Sequence, residues 1–239
     1  GPSFTFYIAA ASFMIMFVTL TTLKMPVTPK SPGRNPLHEF AEGFKFIART
    51  RIFTILIPLT FSNMFFGMIY IQLMPAYVDL FGGDAREIGY IFTSVGIGAV
   101  TGTFVVGKFQ QVAWLGWMIL GGILISAGFI FLLALSPFYW LSVGIATTVG
   151  FFNSMYLISS MMVLQIRVPD GLRGRVMGIY TITFSLIALG GFFGGVIADF
   201  TSVRVAIATG AVVLASIVLI VAITQTQIRS LDGRSLIEH

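Results

Sequence analysis

The 239-residue sequence has no cysteine, which excludes disulfides, thiolate metal sites and thiol nucleophiles from this chain. It has two histidines, His38 and His239, too few and too far apart to found a metal centre. No HExxH, GxSxG or phosphate-binding loop is present. Charge is scarce too: Asp, Glu, Lys and Arg make up 10% of the chain against 56% hydrophobic residues. Every acidic residue lies at the end of an apolar run or between two runs. No pair of carboxylates sits at depth for hydrolysis, and none is placed for an internal proton-coupled step. The chain is therefore expected to be no enzyme and to hold no cofactor and no metal.

What fills the sequence instead is apolar runs of 18 or more residues, the length that crosses a hydrocarbon core. There are seven: Phe4–Leu23, Ile52–Tyr77, Ile88–Phe109, Leu115–Leu135, Trp140–Ile166, Val176–Ala198 and Val203–Thr224. Runs such as LASIVLIVAI lack the alternation of a barrel strand, so the expected fold is an all-α integral membrane bundle of seven transmembrane helices. Placing the connectors alternately on the two sides puts all but Arg86 and Arg204 of the 14 basic residues on one side. Cytoplasmic loops collect Lys and Arg, so that side is expected to be the cytoplasm, with the C-terminus inside and the N-terminus outside. The net charge of +5 then reports topology, not a nucleic-acid partner. Lys24 follows the first apolar run instead of preceding it, unlike a signal peptide, and the chain begins at Gly1. The start reads as a cut through a longer protein, in which an odd number of upstream spans returns the N-terminus to the cytoplasm.

The longest connector, Met25–Arg51, begins with the loose, proline-rich VTPKSPGRNP. LHEFAEGFKFIAR follows and sets Leu37, Phe40, Ala41, Phe44, Ile47 and Ala48 on one helical face, the pattern of a helix lying on the membrane surface. The spans at 4–23, 115–135 and 203–224 are apolar nearly all round and are expected to face lipid. Two others carry polar stripes at helical spacing: Asn63, Gly67, Tyr70 and Met74, and Asn153, Tyr156 and Ser160. Buried amides must be paired or wet, so the stripes are expected to line a shared water-accessible cavity or else to bond the two helices to each other. Overlapping small-residue pairs, Gly190/Gly194 and Gly191/Gly195, and a further pair, Gly98/Gly102, are expected at close helix approaches. Pro58 and Pro75 lie near the ends of the second span and are positioned to kink it.

Residues 167–178 read RVPDGLRGRVMG, a dense cluster of charge for so apolar a chain. This loop, with its extension VPDGLRGRVMGIY and the later GGFFGGVIAD, resembles the C-terminal half of a major facilitator superfamily transporter, in the bacterial efflux branch of siderophore and macrolide exporters. That branch commonly shows V-P-D/E-x-x-R-G-R-V between helices ten and eleven. The resemblance implies a division into residues 1–24, the last helix of a missing N-terminal half; 25–51, a cytoplasmic linker; 52–225, a six-helix bundle; and 226–239, a cytoplasmic tail. It implies that Asp170, Arg173, Gly174 and Arg175 form a cytoplasmic gate, and that the polar stripes, on helices seven and ten, face the substrate. The family's other loop signature should fall within GTFVVGKFQQVAWLG, where only the glycines and Lys108 remain. The implied function is efflux of amphipathic small molecules by alternating access in a bacterial inner membrane. Its partners are the lipid bilayer, a small-molecule substrate and the missing half. A non-transporting seven-helix receptor or scaffold is the alternative.

Overall fold

The computed structural model describes residues 2–23, 36–109 and 115–229. The proline-rich segment with Lys30 and Arg34, residues 110–114 and the C-terminal residues with Arg234 and His239 lie outside the described residues. All regular structure among the described residues is helical. The chain divides into two units, 1–35 and 36–239. The first holds α1 (Pro2–Thr22), apolar throughout and exposed from Phe6 onward.

The second unit is a bundle. It comprises α2 (Pro36–Arg49), α3 (Arg51–Ser62), α4 (Ile69–Gln72), α5 (Met74–Asp79), α6 (Ala85–Phe109), α7 (Leu115–Leu135), α8 (Tyr139–Arg167), α9 (Asp170–Ile182), α10 (Leu186–Phe200), α11 (Val203–Thr224) and α12 (Thr226–Arg229). Six spans are long and apolar enough to cross a membrane, beginning at Arg51, Ala85, Leu115, Tyr139, Asp170 and Val203, and α1 adds a shorter apolar helix, Phe6–Thr22. The protein is a multi-pass membrane protein. α8 packs along both α6 and α7, α11 along α7, and α10 against α11 and the middle of the first span.

Two spans are interrupted. Between α3 and α4 the backbone forms a π turn, Asn63–Gly67. Just before it, Pro58 has no amide to donate, and the Thr60 and Ser62 hydroxyls bond back to Leu56 O and Pro58 O, both at 2.9 Å, which bends a helix. Between α9 and α10, Thr183–Ser185 tighten into a 3₁₀ turn, with the Thr183 hydroxyl donating to Tyr180 O at 2.6 Å. The start of α6 is capped by side chains of its own first turn. At the start of α6, Asp84 Oδ1 accepts from Arg86 N at 2.7 Å, and Glu87 Oε2 accepts from Asp84 N at 3.0 Å, a reciprocal capping box. The Arg86 amide holds the Asp84 carboxyl below its ordinary value. A depressed carboxylate stabilises the fold above its unfolded pKa and loses that contribution as pH falls through the lowered folded value. Acidification into that range is expected to fray the first turn of α6, read as faster amide exchange at Arg86 and Glu87 with the rest of α6 still protected.

The core lies in two layers. One joins Phe53, Leu56 and Leu59 with Ile119, Ile123, Tyr156, Val163, Val176 and Ile228. The other joins Met64, Tyr70, Met74 and Tyr77 with Ile91, Ile130, Ala146 and Ile207. In the second layer the Tyr77 hydroxyl donates to Leu133 O at 2.6 Å and lies 2.8 Å from Ser142 Oγ, tying α5 to α7 and α8.

Several expectations need correction. The 115–135 span does not simply face lipid, because α7 buries Ile119, Gly122, Ile123, Ser126, Ala127 and Ile130 along one face. α11 likewise buries Ala206, Gly210, Leu214 and Val218. Lipid and protein interior are equally apolar, so uniform hydropathy conceals which face is packed. The charged segment opening at Asp170 is not a loop but the first turns of α9. α2 docks on α9 and α3 and belongs to the compact unit that begins at Pro36. Its contact face is Gly43, Phe46 and Ile47, while Phe40 and Phe44 of the expected apolar stripe stay exposed. Ile228 on α12 is fully buried in the first core layer.

Candidate functional site

The interruption at Asn63 turns that side chain into the bundle, where it is 1% exposed. Its Nδ2 donates to Asn153 Oδ1 on α8 at 3.2 Å, so the two polar stripes meet through their amides. Asn153 itself is only half-buried. One turn away, the Tyr156 hydroxyl donates to Thr60 Oγ1 at 2.7 Å. Thr60 passes the chain on to Leu56 O. Phenylalanine at 156 is expected to cost about 1 kcal/mol, within the range for interhelical hydrogen bonds in membranes, read as a small fall in the thermal midpoint.

The other stripe residues lie deeper. Tyr70, Met74 and Ser160 are all but fully buried, and Gly67 packs against Leu214 and the Asn63 amide, where an added Cβ would fall 2.8 Å and 2.6 Å from them. Burial of the stripes follows from their spacing, since one helical face meets one neighbour. Thr60 was absent from the sequence reading. Its position three residues before Asn63 on the same face was the signal available.

A second constellation forms where α2 meets α9. Arg175 Nη1 donates to Glu42 Oε2 on α2, and His38 Nδ1 lies 3.4 Å from Glu42 Oε1. Arg175 and Glu42 are partly buried, at 19% and 30% exposure. Gly43 admits the contact, since a Cβ there would lie 3.1 Å from both Arg175 Cβ and Ile179 Cδ1. Arg173 bridges to Asp170 at 2.8 Å and donates from Nη2 to Gln165 O, in the last turn of α8, at 3.1 Å. Asp170 does not cap α9 with its side chain, because Pro169 holds the N-cap position and Asp170 turns to Arg173 in solvent. Gly174 has open space around it. Glu42 and Gly43 were not singled out in the sequence. One of two acids in a basic connector, beside a small residue, was the only hint.

The glycines separate into two kinds. A Cβ on Gly98 would fall 1.9 Å from Thr147 O, on Gly102 2.5 Å from Phe151 O, and on Gly190 2.0 Å from Phe65 O. Gly191 and Gly194 face Gln72 and Ile69 at 2.5 Å and 2.6 Å. Gly195 has nothing within 4 Å, so of that paired motif it alone makes no close approach. Gly150, not singled out earlier, completes the α6–α8 crossing, 2.1 Å from Val95 O by the same measure. Among the described residues no cluster of three His, Asp or Glu is placed to hold a metal ion.

A family model described as transmembrane secretion effector matches residues 1–238. Among curated proteins, the chain is 27% identical over 213 residues to a protein of Shigella flexneri named enterobactin exporter EntS, covering 88% of this chain and 50% of the relative. Proteins of the same name match from Shigella boydii serotype 18, at 27% identity over 219 residues, and from Escherichia coli O139:H28, at 26% over 219. Each of these two alignments covers 88% of this chain and 51% of the relative. The chain thus spans about half the length of the curated relatives it matches.

Proposed function

Since the chain belongs to the transmembrane secretion effector family of major facilitator transporters, we propose that it is the C-terminal half of a twelve-helix secondary carrier that exports amphipathic small molecules by alternating access. The observation that carries this reading is the family match along residues 1–238. Residues 1–24 are then the last helix of the other half, and 52–225 the bundle that rocks against it. The one-sided excess of basic residues supports a cytoplasmic C-terminus, and the bacterial relatives support an inner membrane.

The fold supplies surfaces for such a partner half. α6 exposes Phe92, Ile97, Val100 and Phe104, and α10 exposes Leu189, Phe192 and Phe193. The substrate wall is the Asn63–Asn153 amide pair, reached from the half-buried Asn153 edge, with Gly67, Tyr70, Met74, Tyr156 and Ser160 forming the layer behind it. The wall holds no fixed charge, which suits bulky neutral or amphipathic ligands better than small ions. Asp170, Arg173, Gly174 and Arg175 serve as the inner gate, where Arg175 engages Glu42 on α2 and Arg173 engages Asp170 and the Gln165 carbonyl near the end of α8.

The relatives' name makes enterobactin the first compound to test, with the intact carrier reconstituted in vesicles and efflux followed directly. Asn63→Ala and Asn153→Ala are each expected to lower efflux severalfold at unchanged membrane abundance, since each leaves its partner amide unsatisfied. Undiminished efflux in both variants would remove the amide pair from the substrate path. A carrier that moves no amphipathic compound in either direction would overturn the export reading.

A further inference from the structure

A cleft opens beside α2. It has a volume of about 310 Å³ and is lined by Glu42, Lys45, Phe46, Arg49 and Leu172. Lys45 and Arg49 lie one turn apart on α2, both exposed, and no described carboxylate pairs with either. Glu42, the one acid in the lining, is engaged by Arg175, so the cleft presents net positive charge above an apolar floor of Phe46 and Leu172.

The position of the cleft selects its ligand. One residue, Thr50, separates the end of α2 from the span that opens at Arg51, and Leu172 belongs to the first turn of the span that opens at Asp170. The cleft therefore sits at the level where apolar spans end and headgroups begin. At about 100° per residue, α2 has three faces. Gly43 and Ile47 dock on the bundle, Phe40 and Phe44 border that face on one side at 48% and 61% exposure, and Lys45 and Arg49 lie toward its other side, where Phe46 joins them in the cleft. Cations beside an apolar side chain at the end of a membrane span are how an interfacial helix holds an anionic headgroup.

We propose that the α2–α9 cleft is a binding site for an anionic phospholipid, with Lys45 and Arg49 on the headgroup phosphate and Phe46 and Leu172 against its glycerol and upper acyl carbons. The site rests on the membrane-spanning fold and stands independently of what the carrier exports.

The test follows thermal unfolding of the intact, delipidated protein in a neutral detergent. Phosphatidylglycerol is expected to raise the midpoint saturably, and phosphatidylcholine at the same concentrations to leave it near the lipid-free value. In K45Q/R49Q the same rise should need about thirtyfold more phosphatidylglycerol, from the loss of two surface cations. Lys108→Gln, an exposed cation at the end of α6, should keep the wild-type response. Because both substituted side chains are exposed, the lipid-free midpoint of K45Q/R49Q should match the parent. Three outcomes would overturn the proposal: an unshifted lipid response in K45Q/R49Q, an equal response to phosphatidylcholine, or an equal loss in Lys108→Gln. Stabilisation by inorganic phosphate alone, as strong as by the lipid, would also overturn it and reassign the cleft to a soluble anion.

Discussion

Alanine in place of Gly98 is expected to destabilise the bundle by about 3 kcal/mol, the upper part of the overpacking range. The new Cβ would stand 1.9 Å from Thr147 O and 2.8 Å from Thr147 C, and both are backbone atoms of α8 that no rotamer change can move. Relief requires α6 and α8 to separate, which also strips Gly102 from Phe151 and Gly150 from Val95 along the same crossing. Gly195→Ala is the matched control. It lies in open space on a helix, so it should leave stability unchanged or improve it, since alanine favours helix over glycine by about 1 kcal/mol. Thermal unfolding in one detergent, with both variants beside the parent, reads the difference. Equal midpoints for Gly98→Ala and the parent would mean that the two helices do not cross at this distance.

Glutamine in place of Arg175 should release α2 from α9. The pair with Glu42 is partly covered, so its loss is set between an exposed and a buried ion pair, at about 1–2 kcal/mol, or roughly five- to thirtyfold in the docking equilibrium. The absence of native cysteine in this chain gives a direct reporter. Ile47, 6% exposed under the docked helix, is replaced by cysteine, and maleimide labelling is timed. Labelling should accelerate by that factor in Arg175→Gln and stay slow in Arg173→Gln, whose partners lie on α8 and α9 and not on α2. Efflux by the intact carrier should fall in Arg175→Gln if this contact closes the inner gate. Faster labelling with efflux intact would make the contact a structural tether only.

The parts of this fold that sequence could reveal are those in which one property is periodic or concentrated. Apolar runs exceed the bilayer span, and the amides of Asn63 and Asn153 stand out against oil, so the spans and the meeting of two helices were open to reading. The packed faces of α7 and α11 were not, because a leucine against lipid and a leucine against another helix look alike. The interruption of the first span was hidden as well. Pro58 signals a kink but not that the backbone would widen five residues later at Asn63. The Glu42–Arg175 contact spans 133 positions, and nothing local to either residue names the other. GxxxG spacing proposed five glycines that lie at close contacts and one, Gly195, that does not, while Gly150 has no partner glycine in its own helix at that spacing.

The widened turn at Asn63–Gly67 also bears on how this sequence tolerates change in length. A π turn holds one residue more than the regular helix it interrupts. Deleting a single codon within 63–67 would remove that extra residue and let the segment relax to an ordinary helix, with the residues beyond it on nearly the same face. Tyr70, Met74 and Tyr77 would stay in the second core layer, and the Tyr77 hydroxyl would keep Leu133 and Ser142. A one-residue deletion in the regular helix on either side would instead turn those side chains by about 100°. Sequences descended from this one should therefore lose a residue at 63–67 more readily than elsewhere in this span.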